Sequence, residues 1–278
     1  MTTVEAPIPG PSADGPGSIP PPPPLLAVEQ VSVRFRANLA LSDVDLDVPA
    51  GEVVGLIGPN GAGKTTLFNV ITGLQRPTRG RVLLDGDDIS RLDTHRRARL
   101  GIGRTFQRLE LFTDLSVRDN LRVAGDIRNR WGLPLVGRFV GVGRGAGHLD
   151  VNARSDHLLE LLGLTEVADT GAGSVPTGTA RLVELGRALM GEPRLLLLDE
   201  PASGQTEAET EAFGRLLRRL AGEEGVTVLL VEHDMSLVMG VCDRVHVLDF
   251  GRVIAGGAPA DVRADPRVLE AYLGVAAP

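Results

Sequence analysis

The chain has 278 residues, enough for one large domain or two small ones, with 42% hydrophobic and 23% charged side chains, an ordinary globular mix. Its net charge of −7 excludes the basic footprint of a generic DNA or RNA binder, and its single cysteine, Cys242, excludes an intrachain disulfide. The longest apolar attempt, 132–143, is split by Pro134 and Arg138, and no positive charge precedes Arg34, so neither a membrane span nor a signal peptide is expected.

Residues 1–24 hold nine prolines and read as a disordered, locally polyproline II tail, with the folded part beginning near Leu25. Apolar residues then mostly alternate over Leu26–Phe35 and Leu41–Val48, which predicts two half-buried strands. Val53–Ile57 is a short continuous apolar run, as in a strand covered on both faces. A helix is expected from Lys64 to about Thr72, and Arg81–Leu84 with Asp85-Gly86 suggests a hairpin. The stretch 108–176 reads as helical, with a capping-box-like start at Ser116–Asp119, a helix through Ala124 and another over Asp150–Leu162. Between these, 125–150 carries seven glycines and the only tryptophan, Trp131, and reads as a loop-rich insertion. Further on, a helix over Arg181–Met190 precedes a buried strand at Leu195–Leu198. A helix over Glu207–Leu220 precedes another buried strand at Val226–Val231, and Val245–Leu248 and Arg252–Ala255 flank a turn at Gly251. Buried strands alternating with helices imply a mainly parallel sheet with crossover helices.

Of the 29 basic side chains, all but Lys64 are arginine. A sole surviving lysine marks a place where a compact ammonium is needed and a planar guanidinium will not serve. It stands in Gly58-Pro59-Asn60-Gly61-Ala62-Gly63-Lys64-Thr65, between an apolar strand and a helix, which is the pattern and context of a phosphate-binding loop. Glycines there let backbone N–H groups turn inward around an anion, and the helix N-terminus adds partial positive charge. Lys64 can then reach the terminal phosphates, and the Thr65 hydroxyl can ligate Mg²⁺, with Thr66 following in the same turn. A metal-bound triphosphate needs a carboxylate at a neighbouring strand end, and Leu195–Asp199 supplies Asp199 for it. Glu200 follows on the other side of the pleat, where it can polarise a water.

These motifs, with Pro201, Gln107 after a short strand and His233 after another, resemble in order and spacing those of the ATP-binding-cassette (ABC) ATPases, over about Leu25 to Gly274. The resemblance implies a P-loop α/β fold of ABC type: a mainly parallel core sheet, an antiparallel β subdomain and a helical subdomain at about 108–176, within one ATP-binding domain over 25–278. It implies that Gln107 joins the metal shell and links it to the helical lobe, that His233 contacts the γ-phosphate, and that Phe35 stacks on adenine. The segment Val175-Pro176-Thr177-Gly178-Thr179 stands where the family has Leu-Ser-Gly-Gly-Gln before a helix. Gly178 is kept for close approach to a phosphate. Pro176 replaces the serine, which leaves Thr177 and Thr179 as the available hydroxyls. Ser203-Gly204-Gln205-Thr206 likewise ends in threonine where the family often has aspartate.

Within the family, Gly103-Arg104-Thr105-Phe106-Gln107, the insertion after it and the ending Asp265–Gly274 are similar to the ATPase subunits of branched-chain amino-acid importers, a likeness shared by urea and amide importers. The implied protein binds ATP and Mg²⁺ and sits peripherally at the cytoplasmic face of the membrane. Its implied partners are permease subunits, a second ABC ATPase and, indirectly, a solute-binding protein, with no nucleic acid. A soluble, non-transport ABC ATPase is the rival from another class.

Overall fold

A computed structural model describes residues 23–36, 38–105, 109–130 and 148–273. Gln107, Phe106, Trp131 and nearly all of the proline-rich tail lie outside the described residues.

Strands β1 (Leu26–Phe35), β2 (Asn38–Val48) and β3 (Val53–Ile57) lead into helix α1 (Lys64–Thr72). Then come β4 (Arg79–Leu84), β5 (Asp87–Asp88), α2 (Thr94–Arg99) and β6 (Ile102–Arg104). Helices α3 (Val117–Arg130), α4 (Val151–Leu161) and α5 (Thr177–Leu189) precede β7 (Leu195–Asp199), α6 (Glu207–Gly222), β8 (Thr227–Val231) and α7 (Met235–Val241). The chain closes with β9 (Arg244–Asp249), β10 (Arg252–Gly257), α8 (Pro259–Ala264) and α9 (Pro266–Leu273).

Among the described residues the strands form two sheets. One is antiparallel, in the order β2-β1-β4-β5. The other runs β10-β9-β3-β8-β7-β6 and is parallel except for the β10–β9 hairpin. This is the mixed architecture the sequence implies.

Period-two alternation divides the parallel sheet between two cores. Val53, Ile57, Leu196, Leu198, Val228 and Leu230 face one way, among side chains from α3 to α7. Val54, Leu56, Leu195, Leu197, Leu229 and Val231 face the other way, against α1 and the antiparallel sheet. Each such side chain contributes about 1.5–3 kcal/mol by leaving water. That explains why these strands read as continuous apolar runs.

Several boundaries differ from the sequence reading. Strand β2 starts at Asn38, three residues before Leu41, because the register carries on to the pair Phe35↔Asn38. Strand β4 starts at Arg79, where Ser32 of β1 still pairs with it. Helix α3 starts on the expected Ser116–Asp119 exchange, with Asp119 N–H donating to Ser116 Oγ at 3.0 Å, but runs on to Arg130. Helix α5 starts at Thr177, four residues before Arg181. Its apolar stripe begins later than its backbone, since Pro176 at the N-cap already accepts the Ala180 N–H at 2.9 Å. The Cys242 thiol is buried, and burial pushes it up to about 12, which leaves it unreactive.

Helix α1 carries the phosphate-loop lysine at its first position, and its far end is held by an unexpected group. Arg97 is 1% exposed and touches no carboxylate among the described residues; its guanidinium donates to Val70 O (2.6 Å), Ile71 O (2.8 Å), Leu92 O (2.9 Å) and Ser90 O (3.1 Å). Burial pulls it down to about 10, so it stays charged at neutral pH. It serves as a side-chain cap at the helix end, where it holds Ile71 O and shares Val70 O with the Gly73 N–H, and it ties that end to the Leu92 and Ser90 carbonyls. Arg97→Met keeps the stem but removes all four of these bonds from the interior. The substitution should destabilise the protein by roughly 3 kcal/mol, about 6–12 °C in melting midpoint, as read by thermal denaturation. An unchanged midpoint would contradict the capping role.

Candidate functional site

Strands β3, β7 and β8 are parallel neighbours, so their carboxyl ends meet at one edge of the sheet. Loops leaving that edge carry Gly58–Lys64, Glu200 and His233, and β7 itself ends on Asp199.

The first loop requires its glycines. Gly58 has φ 149°, and a Cβ there would stand 1.9 Å from Leu248 O. Gly63, at φ 109°, is the N-cap of α1 and would bring a Cβ to 2.9 Å from Ala40 O. Left-handed backbone and close approach thus coincide, and only glycine meets both demands. Asn60, Gly61 and Thr65 face solvent, Pro59 and Thr66 are half-buried, and Ala62 is buried against the β10 turn, its carbonyl accepting the Gly251 N–H at 2.9 Å.

Lys64 is buried, and its ammonium donates to Gly58 O at 2.6 Å and Pro59 O at 3.0 Å. Burial lowers its pKa, and the fields of Glu200 and Asp199 oppose that shift. The loop therefore encloses a desolvated cation that has carbonyl dipoles for partners and two carboxylates in range. Phosphate oxygens fit such a group better than carbonyls do.

Asp199 is 4% exposed, and burial raises its pKa against the opposing pull of Arg104. Arg104 Nη2 donates to Asp199 Oδ2 at 3.0 Å, and its Nη1 donates to Asn69 Oδ1 of α1 at 2.7 Å. Its guanidinium also lies over the Phe68 ring, 5.6 Å from the centroid. Thr105 and Leu109 line the same cleft as Asp199, Glu200 and Arg181.

The pleat does not continue through Glu200. Its φ is +51°, a left-handed turn that costs a residue with a β-carbon about 1–2 kcal/mol. The turn swings the carboxylate toward the loop after β8, where Glu200 Oε1 lies 3.0 Å from His233 Nε2. Phe35 ends β1 with 47% of its surface exposed, outside the core. Gly178 lies in the first turn of α5 beside the N–H groups of Thr177 and Thr179, none of which has an intrahelical acceptor.

The structure thus gathers Lys64, Asp199, Glu200 and His233 at one edge. Gly178 and Phe35 belong to other elements, and Gln107 lies outside the described residues. Sequence reasoning missed Arg104, Arg181 and Glu232. For Glu232 a signal existed: like Asp199, it is an acid directly after a run of buried apolar strand residues, a position that is solvated only if the chain turns outward there.

Among the described residues, no group of three His, Cys, Asp or Glu side chains could hold a metal ion alone. A cation here would rest on Asp199 and the Thr65 hydroxyl and draw its other ligands from phosphate and water, which suits Mg²⁺. None of the helices is long and apolar enough to cross a membrane, among the described residues.

Comparison with known proteins agrees with this geometry. Residues 41–203 match the family model "ABC transporter", and residues 252–278 match "Branched-chain amino acid ATP-binding cassette transporter". The chain is 42% identical over 253 residues to the high-affinity branched-chain amino acid transport ATP-binding protein BraF of Pseudomonas aeruginosa, covering 91% of this chain and 99% of that one. It is 40% identical to LivG of Escherichia coli K12, which has the same description, with the same coverage. Among solved structures, the ADP conformation of MJ1267, an ATP-binding cassette of an ABC transporter, superposes with a TM-score of 0.78 at 32% identity, covering 90% of this chain and 99% of that one.

The snug carbonyl contacts of Lys64 generate a test. Lys64→Arg keeps the charge but brings a fork too broad for the position, so ATP affinity should fall at least about tenfold in a binding titration. Unchanged affinity and turnover would contradict the reading of the loop.

Proposed function

The chain belongs to the ABC transporter family, and from that premise we propose that it is the ATP-hydrolysing subunit of an importer for branched-chain amino acids. The observation that carries the enzymatic part is the convergence of Lys64, Asp199, Glu200 and His233 on one sheet edge. The match over 252–278 favours branched-chain amino acids over urea or amide solutes, and a transporter over a soluble ATPase.

ATP is the substrate, its base against Phe35 and its phosphates in the cradle of Gly58–Thr66. Lys64 exchanges the Gly58 and Pro59 carbonyls for the β- and γ-phosphates. Thr65 and Asp199, with Gln107 as the family resemblance implies, would hold Mg²⁺, which would supply positive charge against the charge developing on the phosphates. Glu200 accepts a proton from the attacking water as the bond between the γ-phosphorus and the bridging oxygen breaks. His233, 3.0 Å from Glu200 Oε1, orients that carboxylate and faces the γ-phosphate. The chain works at the cytoplasmic face of the membrane, bound to permease subunits that a solute-binding protein supplies.

Two cassettes close on two ATPs, each nucleotide lying between the loop of one chain and the signature of the other. In this chain Pro176 has removed the signature hydroxyl at its usual position, which leaves the first turn of α5 with its N–H groups and the displaced hydroxyls of Thr177 and Thr179. The partner is therefore a related but different ATPase, and the site built on Lys64 and Glu200 carries most of the turnover.

The assembled transporter tests both points. Glu200→Gln should retain ATP binding and lose turnover by about 10² or more. The equivalent change in the partner should cost several-fold less. Normal hydrolysis by the Glu200 variant would contradict the base. Equal losses from the two variants, or a fully active homodimer of this chain, would contradict the asymmetry.

A further inference from the structure

Glu200 does not hold its left-handed turn unaided. Its own N–H donates to Val231 O at 2.9 Å, which anchors the front of the turn to β8. Behind it, two side chains grip the next peptide units from opposite sides. Arg181 of α5 donates from Nη1 to Pro201 O at 2.7 Å and reaches Glu200 O at 3.4 Å. Glu232, from the end of β8, accepts the Ala202 N–H on Oε1 at 2.7 Å. Glu232 is 3% exposed, and no cation stands against it in these hydrogen bonds. Its other oxygen accepts the His233 N–H at 3.1 Å, and the Asp234 N–H also faces it.

A carboxylate buried among three backbone N–H groups is a costly choice unless those groups need fixing. Two of them belong to the loop that carries His233, and the third belongs to the loop that carries Glu200. Glu232 therefore ties together the two loops whose side chains meet at 3.0 Å. Arg181 adds a link of another kind. It stands one turn into the helix whose first residues, Thr177–Thr179, are the signature segment. Any rotation of α5 reaches the Pro201 carbonyl through its guanidinium.

We propose that Glu232 and Arg181 are positioning residues that brace the turn at Glu200, holding its carboxylate in register with His233 and coupling that register to the signature helix. The proposal rests on the reading of Glu200 as the base. Both side chains spend their hydrogen bonds on backbone groups of these turns and none on the Gly58–Lys64 loop, so their loss should act on kcat and leave ATP binding alone.

The test is steady-state hydrolysis by the assembled transporter, with ATP affinity measured by titration on the same samples and folding checked by thermal denaturation. Glu232→Leu and Arg181→Leu should each lower kcat at least about tenfold while KM for ATP stays within about twofold, the pattern of a misplaced catalytic group. Glu232→Gln keeps an acceptor oxygen for the Ala202 N–H but sets an amide N–H against the His233 N–H, and should restore part of the rate. In a Glu200→Gln background, Glu232→Leu should cause no further loss, because the group it positions is already gone. Wild-type kcat in folded Glu232→Leu would overturn the brace. So would a fall in ATP affinity that accounts for the lost rate, or an equal loss in the Glu200→Gln background. If Glu200→Gln alone hydrolyses ATP normally, the reading of the base fails first, and that outcome is distinguishable from an intact base with a dispensable Glu232.

Discussion

A parallel sheet delivers the carboxyl ends of its strands to a single edge, and nearly all the chemistry of this chain follows from that constraint. Strands β3, β7 and β8 are adjacent in the order β3-β8-β7, so a cation loop, a buried acid and a histidine far apart in sequence become neighbours. The burial that makes these strands cohesive also makes their ends effective. Groups placed just beyond a dry strand are partly desolvated, where charges interact more strongly than in water.

The charges at this edge are arranged sparingly. Lys64 is buried at the loop, with carbonyls for partners and two acids within its field. Arg104 holds Asp199 and Asn69 together, and so connects the strand end to the helix behind the loop. Glu200 bears the local backbone strain, and hydrogen bonds to Val231, Pro201 and Ala202 offset it. Strain held in this way keeps a carboxylate where an extended chain would not put it. Rigid packing on both faces of the sheet, together with Arg97 at the far end of α1, gives those bonds a firm base.

Much of this was legible in the sequence, for identifiable reasons. Continuous apolar runs announced the buried strands, and the glycine-rich loop announced its own conformation, because few residues other than glycine tolerate φ near 149° or 109°. A lone lysine among arginines pointed to the cation. Less was visible where structure depends on contacts distant in sequence. The start of α5 was placed at Arg181 because the apolar stripe begins there, whereas the backbone turns at Pro176. Arg181 and Arg97 bind carbonyls brought to them by the fold, and nothing local distinguishes them from solvated charges, whereas Glu232 has one local sign, its place directly after a buried strand. The turn at Glu200 was hidden for the same reason: a strand reading continues its alternation until something outside the strand stops it.

These features together describe an engine whose output is movement of a solute across a membrane, and uptake is the direct measure of that output. Vesicles would hold this chain with the partner ATPase and permease subunits proposed for it, with ATP inside and a solute-binding protein outside. Labelled leucine, isoleucine and valine would be supplied externally. The account predicts accumulation of these amino acids that depends on internal ATP. Steady ATP hydrolysis with no uptake of any of the three would contradict it.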